Sequence, residues 1–196
     1  MTTRVHRETP AEYFKQLVDS ALSRQRLKAG EMTAFYLVNL LCGFVRLDEA
    51  APGPLDDRPL ALLLGQALER EGAEQRARLR TIGDISLFVS GFFSDSLRRR
   101  IVDVDYYVAL GEYAYGSLSR TEAGAFAEIF GELAEKFCGF MDVLAEVSEQ
   151  SALTSTADLL RLYERWLRTG SRRSGQRLIE QGIVPNASIG TRFIQH

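Results

Sequence analysis

The stretch from Leu79 to Ser119 constrains this chain most. An almost wholly apolar run, Ile85-Ser-Leu-Phe-Val-Ser-Gly-Phe-Phe93, sits between isolated acids and is followed by Val102-Asp-Val-Asp-Tyr-Tyr107. A segment this apolar must be buried, and polar groups wedged into it must be paired there or serve a site. Leu79, Ile82, Val89 and Phe93 repeat at helical spacing, which predicts a helix from Ala73 to Phe93. The β-propensity of Ile85 to Phe93 offers a strand as the alternative, but no neighbouring segment supplies a strand to pair with it.

The flanking sequence is also helical in pattern. Thr9-Pro10-Ala11-Glu12 is a helix start, with a capping threonine, a proline at the first helical position and a glutamate placed to close a capping box; the helix runs to Arg26. Met32 to Phe44 is nearly all apolar and predicts a helix deep in the core. Residues Asp48 to Asp57 form a loop, after which Pro59 opens a helix from Leu60 to Glu71. Asp103 and Asp105 begin a helix that reaches Leu118, and Ser119-Arg-Thr-Glu122 reads as a second capping box opening a long helix to Gln150. Within that helix Phe126, Phe130, Leu133, Phe137, Phe140, Leu144 and Val147 alternate four and three apart, the spacing of a helix packed lengthwise on its neighbours. Ala123, Ala127, Gly131, Ala134 and Cys138 make a small-residue stripe, read as core packing or as a homodimer seam. Ser155 to Asp158 caps a helix to Thr169, Gly170 interrupts it, and a short helix follows from Ser174 to Gln181. The expected architecture is all-α, an irregular or orthogonal bundle of about seven helices in a single domain over residues 1–182, with an irregular tail over 183–196.

Composition narrows the function classes. A net charge of -2 argues against a surface built throughout for nucleic acid or anionic lipid. No window approaches the length of an apolar membrane span, and the charged N-terminal residues lack a signal-like apolar core, so a cytoplasmic protein is expected. Cys42 and Cys138 fall within apolar helical patterns and read as small buried hydrophobes, not as a disulfide or a metal pair. The only histidines, His6 and His196, lie outside every predicted helix. There is thus no interior imidazole for a catalytic triad or a common metal site, and no Gly-rich phosphate loop or nucleophile elbow occurs. Neither a metal nor a cofactor is expected.

Two constellations remain. The first is the central polar set: Asp84, Ser86 and Ser90 on one helix, and Asp103, Asp105, Tyr106, Glu112 and Tyr113 on the next. Tyr106 and Tyr113 share a face, while Tyr107 points about 100° away. These residues predict either a pocket between helices 79–93 and 103–118, lined by acids and hydroxyls, or a set of caps and packed tyrosines without a site. The second is a basic row, Arg161, Arg165, Arg168 and Arg172, whose spacing places four guanidinium groups on one stripe if Gly170 does not break it. Such a row suits phosphates or an acidic partner, although Asp158 and Glu164 also stand at ordinary salt-bridge spacing from it.

The block Gly83-Asp-Ile-Ser-Leu-Phe88, Gly91-Phe-Phe93 and Asp103-Val-Asp-Tyr-Tyr107, with Gly111 and Ala114-Tyr115, resembles a family of uncharacterised helical bacterial proteins. The resemblance covers most of the chain up to the long helix. It implies an all-helical architecture and carries no activity, ligand or catalytic residue. The expected function is accordingly a non-enzymatic cytoplasmic protein that binds other proteins, as a homodimer in one version. A small-molecule binder or enzyme using the Asp and Tyr set is the alternative, and a nucleic-acid-binding regulator is the weakest reading.

Overall fold

A computed structural model describes residues 9–44, 60–94, 103–151, 162–167 and 170–183. They form one all-helical domain with nine helices and no strand among the described residues. In chain order these are α1 (Pro10–Arg24), α2 (Glu31–Phe44), α3 (Leu60–Leu68), α4 (Gly72–Phe92), α5 (Asp103–Thr121), α6 (Ala125–Glu135), α7 (Phe137–Gln150), α8 (residues 162–167) and α9 (Arg172–Glu180). The 48–57 loop, both histidines and the tail beyond Ile183 lie outside the described residues. Among the described residues no helix is long and apolar enough to cross a membrane.

The apolar run dictates the centre. From Leu79 onward α4 buries residues on every side, including Ile82, Ile85, Leu87, Phe88, Val89 and Phe92, whereas its first turns, Gly72 to Arg78, are polar and more open to solvent. A helix without a polar face needs neighbours all round. It finds them in α5, α7, α3 and α2, with α5 the most extensive contact. Phe88 stacks on Phe44 at 4.3 Å and meets Phe92, Phe93 and Tyr163, so α2, α4 and α8 share one aromatic core. Burying each such ring contributes about 1.5–3 kcal/mol.

The first capping box forms as its sequence predicts: the Glu12 amide donates to Thr9 Oγ1 at 3.2 Å, and the Thr9 amide donates to Glu12 Oε2 at 2.8 Å. The second does not. Ser119 is still inside α5, its hydroxyl donating to Gly116 O at 2.8 Å, and the chain turns three residues past Thr121 at Gly124, whose φ of 61° favours glycine. The expected long helix to Gln150 is also broken, at Lys136. There the side chain leaves to cap the α1–α2 loop, with Nζ donating to Lys28 O at 2.7 Å and to Glu132 Oε1 at 2.9 Å. The apolar seam survives the break: Phe130, Leu133, Phe137, Phe140, Leu144 and Val147 are buried, and only Phe126 at its start is exposed.

Two burial expectations fail. Cys138 is exposed and Cys42 half-buried, both free thiols. In α2, Met32 and Phe35 are 56% and 57% exposed, because α1, α4 and α6 cover only part of its circumference.

Candidate functional site

A partly buried polar junction joins α2, α4 and α5. Asp84 Oδ1 accepts from the Tyr36 hydroxyl at 2.6 Å and from the Tyr115 hydroxyl at 2.8 Å. Arg80, one turn earlier on α4, donates from Nε to the Tyr36 oxygen at 3.1 Å and stands 3.9 Å from Asp84 Oδ2. Its guanidinium also lies over the Tyr36 ring at 5.1 Å and near that of Phe126 at 6.0 Å. Burial pushes the Asp84 carboxyl up to about 6, against the pull of the two tyrosine hydroxyls and Arg80. Both tyrosines are held well above their ordinary range, by burial first and then by the Asp84 charge, so they stay donors. Oδ1 is saturated. The Asp84 side chain nevertheless keeps 17% of its exposure, and Oδ2 is the oxygen left to exchange a proton.

Among the described residues, the other members of the expected polar set do not bond to Asp84. Ser86 is buried against Gly111 and its hydroxyl has no partner, while Ser90 donates back to Ser86 O at 2.7 Å. Asp105, Tyr106, Glu112 and Tyr113 lie on the exposed face of α5, where the Tyr106 oxygen accepts from the Ala61 amide at 3.0 Å and so caps α3. The Asp103 side chain is outside the described residues. Packing between α4 and α5 is close at two points: an added methyl at Gly83 would meet the ring of Tyr115, and one at Gly111 would meet Ser86 of α4 as well as the ring of Phe137 of α7. Sequence reading missed Tyr36 and Tyr115 as the partners of Asp84. Tyr36 was legible as the one tyrosine in the apolar stretch 32–44, but nothing in the spacing says which acid it meets.

The basic row is interrupted. Gly170, with φ at 58°, and Ser171 separate α8 from α9, so Arg165 and Arg172 are exposed on different helices; Arg161 and Arg168 lie outside the described residues. The small-residue stripe is partly covered by the chain itself. Gly131 faces Ser119 of α5, Ala127 and Ala134 are half-buried, and Ala123 and Cys138 are exposed. No cluster of three or more potential metal ligands occurs among the described residues.

The exposed edge of α2 belongs to a groove. Met32, Phe35 and Val38 of α2, Leu22 of α1 and Leu27 of their connecting loop line a cleft of about 970 Å³. Charges of both signs rim it, including the Lys15–Asp19 ion pair at 2.5 Å and Glu31. The loop side is held from below by α6: the Gly30 amide donates to Glu132 at 3.0–3.1 Å, and Lys136 secures the Lys28 carbonyl.

Neither a family model, nor a curated protein, nor a solved structure matches this chain. The resemblance of the central block therefore adds nothing to the assignment of a site.

Proposed function

We propose that the protein acts by binding a partner protein, which lays an amphipathic helix into the groove between α1 and α2. The reading rests on one observation: Met32 and Phe35 stand more than half exposed in a cleft with an apolar floor, on a helix with scarcely a polar residue to justify solvent contact. Contiguous apolar surface rimmed by polar groups is the ordinary mark of an interaction site. A groove between two helices accepts a third by its apolar face, with anchors three and four residues apart. Covering the exposed half of Met32 and Phe35 contributes about 1–1.5 kcal/mol each, enough to make them the anchors of the contact. The mixed rim suits a partner whose polar face also carries both signs. A reducing cytoplasm suits the two free thiols.

A photo-crosslinking residue in place of Phe35, in the full-length chain within its own cell extract, tests this. The expected product is one defined protein adduct that disappears when Met32→Ser is added. An adduct of twice the chain mass identifies the partner as a second copy. Absence of any adduct, or one indifferent to Met32→Ser while helicity is unchanged, rules the groove out.

A further inference from the structure

The charges around the α1–α2 groove are unevenly placed. We infer, on the reading that this groove is the binding site, that its occupant is an acidic amphipathic helix of a partner protein, lying along the groove with its carboxylates and its C-terminal end over the α1–α2 loop.

Three cations, Lys15, Arg26 and Lys28, line the groove against two acids, Asp19 and Glu31. Both acids act on the same cation. The bond from Asp19, the charge of Asp19 and then the charge of Glu31 raise the Lys15 pKa. Arg26 and Lys28 are exposed and form no ion pair with any described residue. They stand two apart on the loop that closes the α1–α2 hairpin, and with Glu31 at the start of α2 they leave that end of the groove two cations against one acid.

The backbone singles out Arg26. α1 ends in a Schellman turn, in which the Leu27 amide donates to Leu22 O at 3.0 Å and the Arg26 amide to Ser23 O at 3.2 Å, with Arg26 at a φ of 54°. Glycine takes this left-handed position without strain, and Arg26 is the one non-glycine residue at positive φ among the described residues. A strained choice of residue persists where its side chain serves a purpose that glycine does not. Leu22 and Leu27, the two ends of the same turn, both line the groove, so the turn holds the arginine beside the apolar floor.

The chemistry of the occupant follows. Met32 and Phe35 call for apolar anchors three and four residues apart on one face of a helix, and unpaired cations at one end call for carboxylates there. A helix has its own negative pole at its C-terminal end, which cations favour. Because α1 runs toward the loop, the occupant lies parallel to α1 and antiparallel to α2. A flat anionic surface would touch only the rim, whereas a cleft of about 970 Å³ admits the side chains of a helix.

Two synthetic helices of identical composition supply the test, each with leucines three and four apart on an alanine and glutamine background. One carries its glutamates in the last turn and the other in the first, and both are titrated with the full-length chain by fluorescence anisotropy. The peptide with C-terminal glutamates should bind about fivefold tighter, as two exposed charge contacts allow, and the preference should shrink as salt is raised. Arg26→Gly should cut the preference to about twofold and yet raise Tm by about 1–3 °C, because glycine relieves the left-handed strain. A residue that serves only the fold cannot do both. Equal affinity for the two peptides, with both lost in Met32→Ser, would overturn the acidic, oriented occupant and leave the groove as a binding site. Binding that is absent, or indifferent to Met32→Ser, would remove the groove reading as well. Displacement of the peptide by phosphatidylglycerol vesicles would assign the cations to a lipid surface and overturn the helix as occupant.

Discussion

Gly83 lies directly against the ring of Tyr115: a Cβ at position 83 would stand 2.6 Å from Cε1 and 2.8 Å from Cδ1. Real side chains do not approach so closely, and this contact sets how near α4 and α5 come and where the Tyr115 hydroxyl meets Asp84. Gly83→Ala should therefore lower stability by about 2–4 kcal/mol through overpacking and the displaced hydrogen bond, read from urea midpoints. Gly43, in α2, has nothing within 4 Å of the same added methyl. Gly43→Ala should raise stability by up to about 1 kcal/mol from helix propensity alone. Equal effects at the two positions would contradict the packing described.

Asp84 makes stability depend on pH in a defined direction. Its folded-state pKa of about 6 exceeds the ordinary 3.8, so between those values the native state holds more protons than the unfolded chain. The penalty of burying the charge is absent below the lower value, grows as pH rises through the window, and is complete above 6, where it reaches about 3 kcal/mol. Glu132 acts in the opposite sense. Burial opposes its ionisation, but bonds from Thr33, Lys136 and Gly30 outweigh this and hold it below its usual range. Comparing the natural chain with Asp84→Asn cancels the Glu132 contribution. The natural chain should gain stability relative to the variant as pH falls from 7 to 4, and a difference that does not vary with pH would exclude the shift.

Buried polar atoms without partners mark places where removing an atom helps. The Tyr163 hydroxyl and the Ser86 hydroxyl are both sealed from solvent and unbonded. Tyr163→Phe and Ser86→Ala each delete an unsatisfied group while leaving the surrounding rings in place. Each should stabilise by about 1 kcal/mol, measured as a rise in Tm. A loss of stability in Tyr163→Phe would mean that the hydroxyl has a partner in solution.

Glu132 links the core to the groove. Its carboxylate accepts the Gly30 amide and Lys136 Nζ, and so fixes the loop that carries Leu27 and Lys28. Glu132→Ala should cost about 1–3 kcal/mol of stability and raise hydrogen exchange at residues 27–30 above that in the centre of α4. Unchanged exchange at Gly30 would show that Leu27, packed near Gly139 of α7, holds the loop unaided.

The helical class, the burial of 79–93 and the first capping box were all legible in sequence, because periodicity and capping act over three or four residues. The end of α5 was not. Ser119 to Glu122 has the composition of a helix start, yet the preceding helix runs through Thr121, since Leu118 and the α4–α5 contact favour its continuation. The Lys136 break was hidden for a similar reason: the lysine leaves its helix to reach a carbonyl 108 residues earlier in the chain.

The candidate sites divide in the same way. Sequence alone determined that Asp84 sits in a segment too apolar to leave a charge unpaired, that α2 has almost no polar face, and that arginines crowd residues 161–177. Only the tertiary structure decided that Asp84 is satisfied by Tyr36 and Tyr115, that the exposed edge of α2 opens on a groove, and that Arg165 and Arg172 stand on different helices. Local pattern fixes which face of a helix a residue occupies. Which other helix comes to meet that face depends on long-range packing, and no spacing along the chain encodes it.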